Sequence, residues 1–389
     1  MGRPYGAVSC RIPNSDSPGK WSKRLRCASQ RCLPSNYRLS QSGHLVFETW
    51  SRKIKISVLD QSPIRSGSNA SEALNETIDL ARLSDKLGFH RFWVSEHHAS
   101  AALAGCSPEV LLGRLGAETE SIRIGSGGIM LPHYSPYKVA ENFKVLETLY
   151  PGRIDLGIGR APGTDPFTSA AIRYGSTTGP QHFPNMVCDL QSLLNDDNPI
   201  TRGMERARAY PKTENPPALW MLGSSEDSAL LAGTNGLPYN FAYFINPNIR
   251  KDIFEIYRDQ FQPGPNLHKP QTCLTLFSIT ANSEEEAQYL AKSRDLWYVK
   301  LLQGNPGPFP TPEEAESYTY SPGERELIMQ NQDKRAVGTP QQVSKKLKRM
   351  AEDFNADEIM LVSITHDPKA RRRSYELIAN EWELDSAAA

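Results

Sequence analysis

The feature that most constrains the fold of this chain is a regular alternation, from about residue 53 onward, of short apolar segments with longer amphipathic ones. The short segments are rich in β-branched residues and predict strands, whereas the longer segments have the period of a helix. Buried strands that alternate with helices predict a parallel sheet. The eight predicted strands cover residues 54–60, 91–97, 122–128, 153–159, 218–222, 239–244, 272–281 and 357–362.

Each predicted strand is followed by a helical segment, and eight such units favour a closed barrel over an open doubly wound sheet. The predicted fold class is therefore α/β, a (β/α)8 or TIM barrel. Two connections are too long to be simple turns, namely residues 160–181 after the fourth strand and 303–336 after the seventh. We expect these two insertions to form walls or lids of a site.

The first 52 residues differ from the rest of the chain. They are rich in serine, proline and arginine, have no sustained period, and are predicted to be a disordered basic extension. Residues 1–53 contain ten lysines and arginines but only Asp16 and Glu48 as acidic residues. The extension is either an upstream addition or an organelle transit peptide. The barrel domain is expected over residues 53–389.

Charge and hydropathy argue against several classes of protein. The 44 basic and 44 acidic residues cancel, so there is no electrostatic basis for binding nucleic acid or an anionic membrane. No apolar run approaches the roughly 18 residues that span a bilayer. The six cysteines are scattered and lack the paired spacing of a structural zinc site, which fits a reducing, cytoplasmic compartment.

Polar residues at the carboxyl ends of the strands are the candidate site residues, because active sites of barrels gather there. Asp60 ends the first predicted strand and Glu96-His97-His98 ends the second. Neighbouring side chains on a strand point to opposite faces, so at most one histidine should face the barrel mouth. That histidine could transfer a proton near neutral pH, could be a buried hydrogen-bonded residue, or could ligate a metal if further ligands converge.

A phosphate site is predicted after the fourth and fifth strands. Arg160 follows the glycine-containing end of the fourth strand, and a guanidinium can bind phosphate with two hydrogen bonds. Ser224, Ser225 and Ser228 follow the fifth strand and open a helix, where hydroxyls and free backbone N–H groups can bind an anion. The residues alone thus predict a phosphate-bearing ligand near these two strands.

Each of these features has a purely structural alternative. Arg160 could form an ion pair with Asp155 or Asp165, and the serines could act simply as caps of the helix without binding a ligand. Gly127 and Gly128, at the end of the third strand, could mark the close approach of a ligand or a sharp exit turn.

Several motifs, in the correct order, resemble those of the luciferase-like flavin monooxygenases. The resemblance extends over about residues 53–383 and implies a (β/α)8 barrel that holds reduced FMN at its mouth. The motifs include LDQSPI (59–64), FWVSEHH (92–98), IRIGSGGIMLPHYSPYKVAENF (122–143), LYPGRIDLGIGRAPGTD (149–165) and PPALWMLGSSEDSALLAGTNGLPYNFA (216–242).

The resemblance implies a role for each candidate residue. His97 is expected to assist the chemistry of oxygen, and Gly127-Gly128 matches a position where luciferase has a non-prolyl cis peptide against the flavin ring. Arg160 matches the arginine that binds the FMN phosphate. At the residue before it, luciferase has a cysteine and this chain has Gly159, so we expect a roomier pocket. The remaining candidates for contact with the cofactor are Asp60, Ser224, Ser225 and Ser228.

The function implied by the resemblance is that of an FMN-dependent monooxygenase acting on a small organic substrate with molecular oxygen. A separate reductase would supply the reduced FMN, because no second glycine-rich nucleotide motif is visible. The alternatives are a deazaflavin-dependent hydride-transfer enzyme, a non-catalytic flavin-binding protein, and a metal-dependent hydrolase centred on His97 and His98. Helices 108–120 and 136–150 form the dimer seam of related proteins, so a homodimer is expected.

Overall fold

The computed structural model describes residues 54–384, except 177, 249–250 and 305, together with two short strands nearer the N-terminus. These strands, Tyr37–Leu39 (β1) and Leu45–Phe47 (β2), form an antiparallel pair. Apart from this pair, the segment 1–52 that is predicted to be disordered lies outside the described residues.

Eight parallel strands form a closed barrel, which confirms the predicted fold class. The barrel strands are Lys55–Asp60 (β3), Arg91–Val94 (β4), Arg123–Met130 (β5), Ile154–Gly159 (β6), Ala218–Gly223 (β7), Tyr239–Ala242 (β8), Thr272–Thr280 (β9) and, after the short strand Ala336–Gly338 (β10), Glu358–Val362 (β11). Each barrel strand pairs with both neighbours, and β11 closes the ring between β9 and β3. The additional strand β10 pairs in parallel with the carboxyl end of β9.

Helices surround the barrel, and many of them begin with a proline that suits the first helical turn. Within the described residues, no helix combines the length and the apolar character needed to cross a membrane. The helices are Ala70–Lys86 (α1), Pro108–Glu118 (α2), Pro136–Leu149 (α3), Pro166–Arg173 (α4), Phe183–Leu194 (α5), Glu226–Thr234 (α6), Ile253–Gln260 (α7), Glu284–Leu302 (α8), Pro312–Ser317 (α9), Pro322–Gln332 (α10), Pro340–Phe354 (α11) and Pro368–Glu381 (α12).

The main hydrophobic core lies between the strands and these helices. Buried strand residues such as Ile56, Phe92 and Ile124 belong to the same cluster as Leu80 of α1 and Leu115 of α2. Each fully buried aliphatic or aromatic side chain of this kind contributes about 1.5–3 kcal/mol. This packing fixes the strands and thereby the positions of the loops at their carboxyl ends.

Both predicted insertions contain helices. The insertion after β6 includes α4, and the insertion after β9 includes α9 and α10. Helix α8 directly follows β9 and packs against β9, β10 and α9. Its residues Ala287, Leu290 and Ala291 belong to a buried cluster that includes Trp93 and Phe277 of the barrel strands. Helix α11 also packs against β9, and against β11 and α12.

The N-terminal end of the barrel interior, called the floor below, holds a buried network of ion pairs. The Arg91 guanidinium lies 2.5 Å from the carboxylate of Asp155 and 2.7 Å from that of Glu358. Asp155 also pairs with Arg123 at 2.6 Å and accepts a hydrogen bond of 3.0 Å from Trp93 Nε1. Burial alone would raise the pKa of Asp155, but the two guanidinium groups lower it. The charges of the floor are thus mutually compensated, as buried charges require.

Candidate active site

Two neighbouring cavities lie at the carboxyl ends of the barrel strands. The first, called the glycine cavity, has a volume of about 460 Å³ and contains Gly127 and Gly128 in its lining. The second, called the histidine cavity, has a volume of about 700 Å³ and contains His97 and His98 in its lining. Phe244 lines both cavities, so they share a wall. A ligand in one cavity can therefore lie against a ligand in the other.

The glycine cavity brings together the predicted cofactor residues from three consecutive strands of the barrel. Because β5, β6 and β7 are neighbours, the residues at their carboxyl ends meet at one place. The predicted residues in its lining are Gly127, Gly128, Arg160, Ser224, Ser225 and Ser228.

Arg160 has neither of the ion-pair partners that the sequence suggests as its structural alternative. Asp155 belongs to the floor network, and Asp165 caps α4 by accepting hydrogen bonds from two backbone N–H groups. The guanidinium lies 3.5 Å from Asp227, and both side chains are largely exposed, at 53% and 74%. An exposed pair of this kind contributes little, so Arg160 can exchange Asp227 for a bound anion.

The serines after β7 combine the two roles that the sequence leaves open. Ser225 and Ser228 form a capping box at the start of α6, in which the Ser225 backbone N–H donates to Ser228 Oγ at 3.4 Å. Ser228 Oγ in turn donates to the Ser225 carbonyl oxygen at 2.6 Å. Ser228 Oγ also lies 3.0 Å from the hydroxyl of Tyr239. The Ser224 hydroxyl has no hydrogen-bond partner within the described part of the chain. The helix start therefore holds its own shape and still presents a hydroxyl and N–H groups to the cavity.

The backbone of β5 forms a close-packed wall of the same cavity. The peptide bond between Gly127 and Gly128 is cis, in agreement with the resemblance. A Cβ atom on Gly127 would lie 2.5 Å from Leu59 Cδ1, and one on Gly128 would lie 2.6 Å from the Gly157 carbonyl oxygen. At Gly159, by contrast, a Cβ atom would meet no other atom within 4 Å. The wall excludes side chains at the two former positions, and the room expected at Gly159 is present.

The two histidines do not follow the strand alternation that the sequence predicts. Strand β4 ends at Val94, so His97 and His98 lie in the loop beyond it. Both residues line the histidine cavity. The prediction that at most one of them faces the mouth is therefore wrong, because the alternation rule applies only within a strand.

His98 is held by a buried carboxylate. Its Nε2 atom lies 2.7 Å from Glu96 Oε1, which also accepts a hydrogen bond of 2.7 Å from the Tyr134 hydroxyl. The second oxygen of Glu96 accepts from the backbone N–H of Met130 at 3.0 Å. Tyr134 and Met130 thus hold the buried Glu96 carboxylate, and its contact with Nε2 orients the ring of His98.

His97 is the less constrained of the two imidazoles. Its Nδ1 atom lies 3.1 Å from Ser95 Oγ, and no described residue bonds to Nε2. Burial, with a smaller contribution from the neighbouring His98, lowers the pKa of His97 to about 4. The ring is therefore neutral at neutral pH, and its Nε2 atom is available to exchange a proton with a ligand.

Asp60 has a different role from the predicted cofactor contact. Its carboxylate is fully buried, accepts from the backbone N–H of Ser62 at 2.6 Å, and pairs with Arg371 of α12 at 2.9 Å. It contributes to the lining of neither cavity. The predicted contact of Asp60 with the cofactor is therefore wrong in this structure. Local sequence does not reveal the ion pair, because Arg371 is more than 300 residues away along the chain.

The sequence motifs do not identify two residues of the glycine cavity. Asn240 and Thr275 line it, and Thr275 Oγ1 donates a hydrogen bond of 2.7 Å to Asn240 Oδ1. Both lie inside predicted apolar strands, and a polar residue within such a strand is the signal that could have identified them.

The described residues contain no group of three or more histidine, cysteine, aspartate or glutamate side chains placed to hold a metal ion. The other histidines near strand ends bond to backbone oxygens. His133 Nε2 lies 2.8 Å from the Pro162 carbonyl oxygen, and His366 Nε2 lies 3.0 Å from that of Ser66.

Comparison with known proteins agrees with this geometry. The sequence profile of the luciferase-like monooxygenases matches residues 54–357. A luciferase-like monooxygenase of Escherichia coli (strain K12) is 38% identical over 84% of this chain and 96% of its own length. The N-acetyl-S-alkylcysteine monooxygenase of Bacillus subtilis (strain 168) is 34% identical over 84% of this chain and 98% of its own length. The crystal structure of apo-MsnO8 superposes with a TM-score of 0.78 at 37% identity, covering 86% of this chain and 99% of that one.

Proposed function

Because the chain belongs to the luciferase-like monooxygenase family, we propose that it is an FMN-dependent monooxygenase that oxidises a small organic substrate with molecular oxygen. The observation that carries this proposal is the placement of Arg160 beside the start of α6, at the edge of a cavity large enough for a planar ligand. FMN, when bound and reduced, supplies the electrons for the activation of oxygen.

The residues of the glycine cavity fit FMN. Arg160, the Ser224 hydroxyl and the N–H groups at the start of α6 would hold the phosphate, which carries the negative charge that these groups favour. The close-packed backbone at Gly127 and Gly128 offers a flat wall for the ring system, and Leu59 and Trp93 complete an apolar surface there. Gly159 leaves open space on the same side of the barrel.

His97 would handle the proton of the reaction. Its Nε2 atom is unpaired within the described residues, and the neutral ring can accept a proton from one group and return it to another. His98, held by Glu96 and Tyr134, would keep the wall of the histidine cavity in place beside it. The aromatic and aliphatic lining of this cavity would keep water away from the reacting atoms.

Two partners belong to the proposal. Reduced FMN would come from a separate reductase, and the protein would function as a homodimer. Apolar side chains remain exposed on the two helices expected to form the dimer seam, with Val110 of α2 exposed by 74% and Leu149 of α3 by 60%. Exposed apolar residues that lie on neighbouring helices are typical of an interface.

A flavin titration with matched ligands tests the cofactor assignment. The full-length protein should bind FMN more tightly than riboflavin, which lacks the phosphate, and more tightly than the deazaflavin F420. Oxygen uptake should rise when a flavin reductase supplies reduced FMN and an organic substrate is added; an N-acetyl-S-alkylcysteine is a suitable first substrate, given the relative from Bacillus subtilis.

Three results would count against the proposal in different ways. Tighter binding of F420 together with hydride transfer and no oxygen uptake would favour the deazaflavin alternative. Tight FMN binding without oxygen uptake over a panel of substrates would favour a flavin carrier. Equal affinities for FMN and riboflavin would contradict the phosphate site itself.

A further inference from the structure

The histidine cavity contains a cation that the proposed chemistry does not use. Arg294 lies on α8 and lines this cavity together with Trp297, Tyr298 and Leu301. These four residues have the spacing i, i+3, i+4 and i+7, which places them on one face of the helix. Helix α8, which leads into the second insertion, thus forms one wall of the cavity.

The charge of Arg294 has no ion-pair partner within the described residues. Its guanidinium carbon lies 4.6 Å from the ring centroid of Phe277 and 5.2 Å from that of Tyr298. The adjacent Asp295 is already engaged, because its carboxylate pairs with Arg335 at 3.0 Å. Burial lowers the pKa of Arg294 to about 10, so the side chain stays protonated at neutral pH.

Among the described residues, no carboxylate of the cavity wall pairs with this guanidinium. Asp165 is the only other charged side chain, apart from the histidines, among the described residues in the lining. Its carboxylate caps α4, where one oxygen accepts from the N–H groups of Phe167 and Thr168 and the other from the Thr168 hydroxyl. A guanidinium between two aromatic rings, facing a cavity and lacking a carboxylate, is a binding group for an anion.

We propose that Arg294 binds a carboxylate of the substrate, so that this enzyme acts on organic acids with an apolar body. A single guanidinium in the lining matches a single negative charge, and Phe277 and Trp297 would contact the apolar part of the molecule. The assignment of the bound molecule as substrate rests on the proposed function. With the carboxylate held on α8, the remainder of the substrate would extend toward the wall that the histidine cavity shares with the glycine cavity at Phe244 and Ile245.

The test compares two ligands that differ only in charge. Phenylbutyrate and its neutral amide are titrated by calorimetry into the full-length protein, into Arg294→Met, and into Arg372→Met, which removes an exposed arginine from α12. The wild type and Arg372→Met should prefer the carboxylate by about ten- to a hundredfold, the range of a charge-assisted hydrogen bond. Arg294→Met should bind both ligands with similar affinity.

The preference is the ratio of the affinities for the carboxylate and the amide within one variant. A general loss of packing would lower the affinity for both ligands and would leave this ratio unchanged, so it would not imitate the expected result. The proposal is overturned if the wild type fails to prefer the carboxylate, a comparison that needs no variant to fold. It is also overturned if the preference survives in Arg294→Met. FMN affinity, measured in the same samples, separates this proposal from the cofactor assignment. If the protein binds FMN but does not prefer the carboxylate ligand, only the anion site is rejected. If it prefers the carboxylate ligand but does not bind FMN, only the proposed function is rejected.

Discussion

At the floor of the barrel Arg91 is enclosed by the carboxylates of Asp155 and Glu358, whereas at the mouth the only ion-pair partner of Arg160 among the described residues is the exposed Asp227. Arg294, also at the mouth, has no carboxylate partner in the described part of the structure and lies between aromatic rings. Arg91, Asp155 and Glu358 at the floor are buried, whereas the mouth opens into two cavities. Arginine side chains therefore differ in charge pairing between the two ends of the barrel: Arg91 at the floor is paired with carboxylates, whereas Arg160 and Arg294 at the mouth are not enclosed by them.

This difference in pairing distinguishes charged residues that stabilise the fold from charged residues that are available to bind a ligand. A buried charge is costly unless it is paired, and at the floor each charged side chain of the network has an oppositely charged partner. At the mouth the charges are incompletely paired, which is the condition for binding an anion from solution. Asp60 lies at the carboxyl end of a strand but, like the charges of the floor, it is buried and has an ion-pair partner, Arg371.

The largest expected effect is at the floor. The variant Arg91→Met would leave Asp155 with one cationic partner and Glu358 with none among its present contacts, so we expect a loss of about 3–5 kcal/mol in the free energy of unfolding. Urea denaturation followed by circular dichroism measures this loss. The exposed Arg372→Met serves as control and should change stability by no more than about 0.5 kcal/mol. A small loss for Arg91→Met would show that the floor charges are not coupled as the distances indicate.

The second effect concerns the charge state of His97 at the mouth. Burial lowers its pKa to about 4, below the value of about 6.5 in an unfolded chain. The folded protein therefore disfavours the protonated ring, and this residue lowers stability as the pH falls from about 6.5 toward 4, with no effect above that window. Nitrogen-detected histidine NMR, with His97→Gln to assign the signal, should give a midpoint near 4. A midpoint near 6.5 would mean that the ring is open to water.

The third effect is on ligand binding alone. In Arg160→Met we expect FMN affinity to fall by about ten- to a hundredfold, since one charge-assisted contact to the phosphate is lost, and riboflavin affinity to stay the same. Fluorescence titration measures both constants. Because Arg160 is half exposed, unfolding by urea should be nearly unchanged, in contrast to Arg91→Met. An equal drop for riboflavin would indicate that Arg160 supports the ring or the fold and not the phosphate.

The smallest effect has the opposite sign. Asp227 lies beside Arg160 in the first turn of α6, where its negative charge competes with an incoming phosphate. The variant Asp227→Asn should therefore raise FMN affinity by a few-fold, which corresponds to the roughly 0.2–1 kcal/mol of an exposed ion pair. The neighbouring Glu226→Gln is the matched control, because it removes an equal charge from the same turn without a contact to Arg160. Reduced FMN affinity in Asp227→Asn would show that the aspartate helps to form the site.

Much of the candidate site could be predicted because it depends on local sequence at the ends of strands. Gly127, Gly128, Arg160 and the serines after β7 follow neighbouring strands, so the order of the strands alone brings them into one cavity. The histidine segment was predicted less well, because the end of β4 at Val94 is set by its pairing with β3 and β5 and not by its own residues.

The sequence by itself determined the barrel, since the alternation of apolar strands with amphipathic helices leaves few other ways to bury them. It also determined that the mouth carries an arginine and serines, residue types that can bind phosphate. Only the tertiary structure decided which charges are free. Asp60 is paired with Arg371 from the last helix, whereas Arg294 of α8 lines the histidine cavity without a carboxylate partner in the described part of the chain. The physical reason is that pairing of charges depends on contacts between residues far apart in the chain, whereas strand and helix patterns are local.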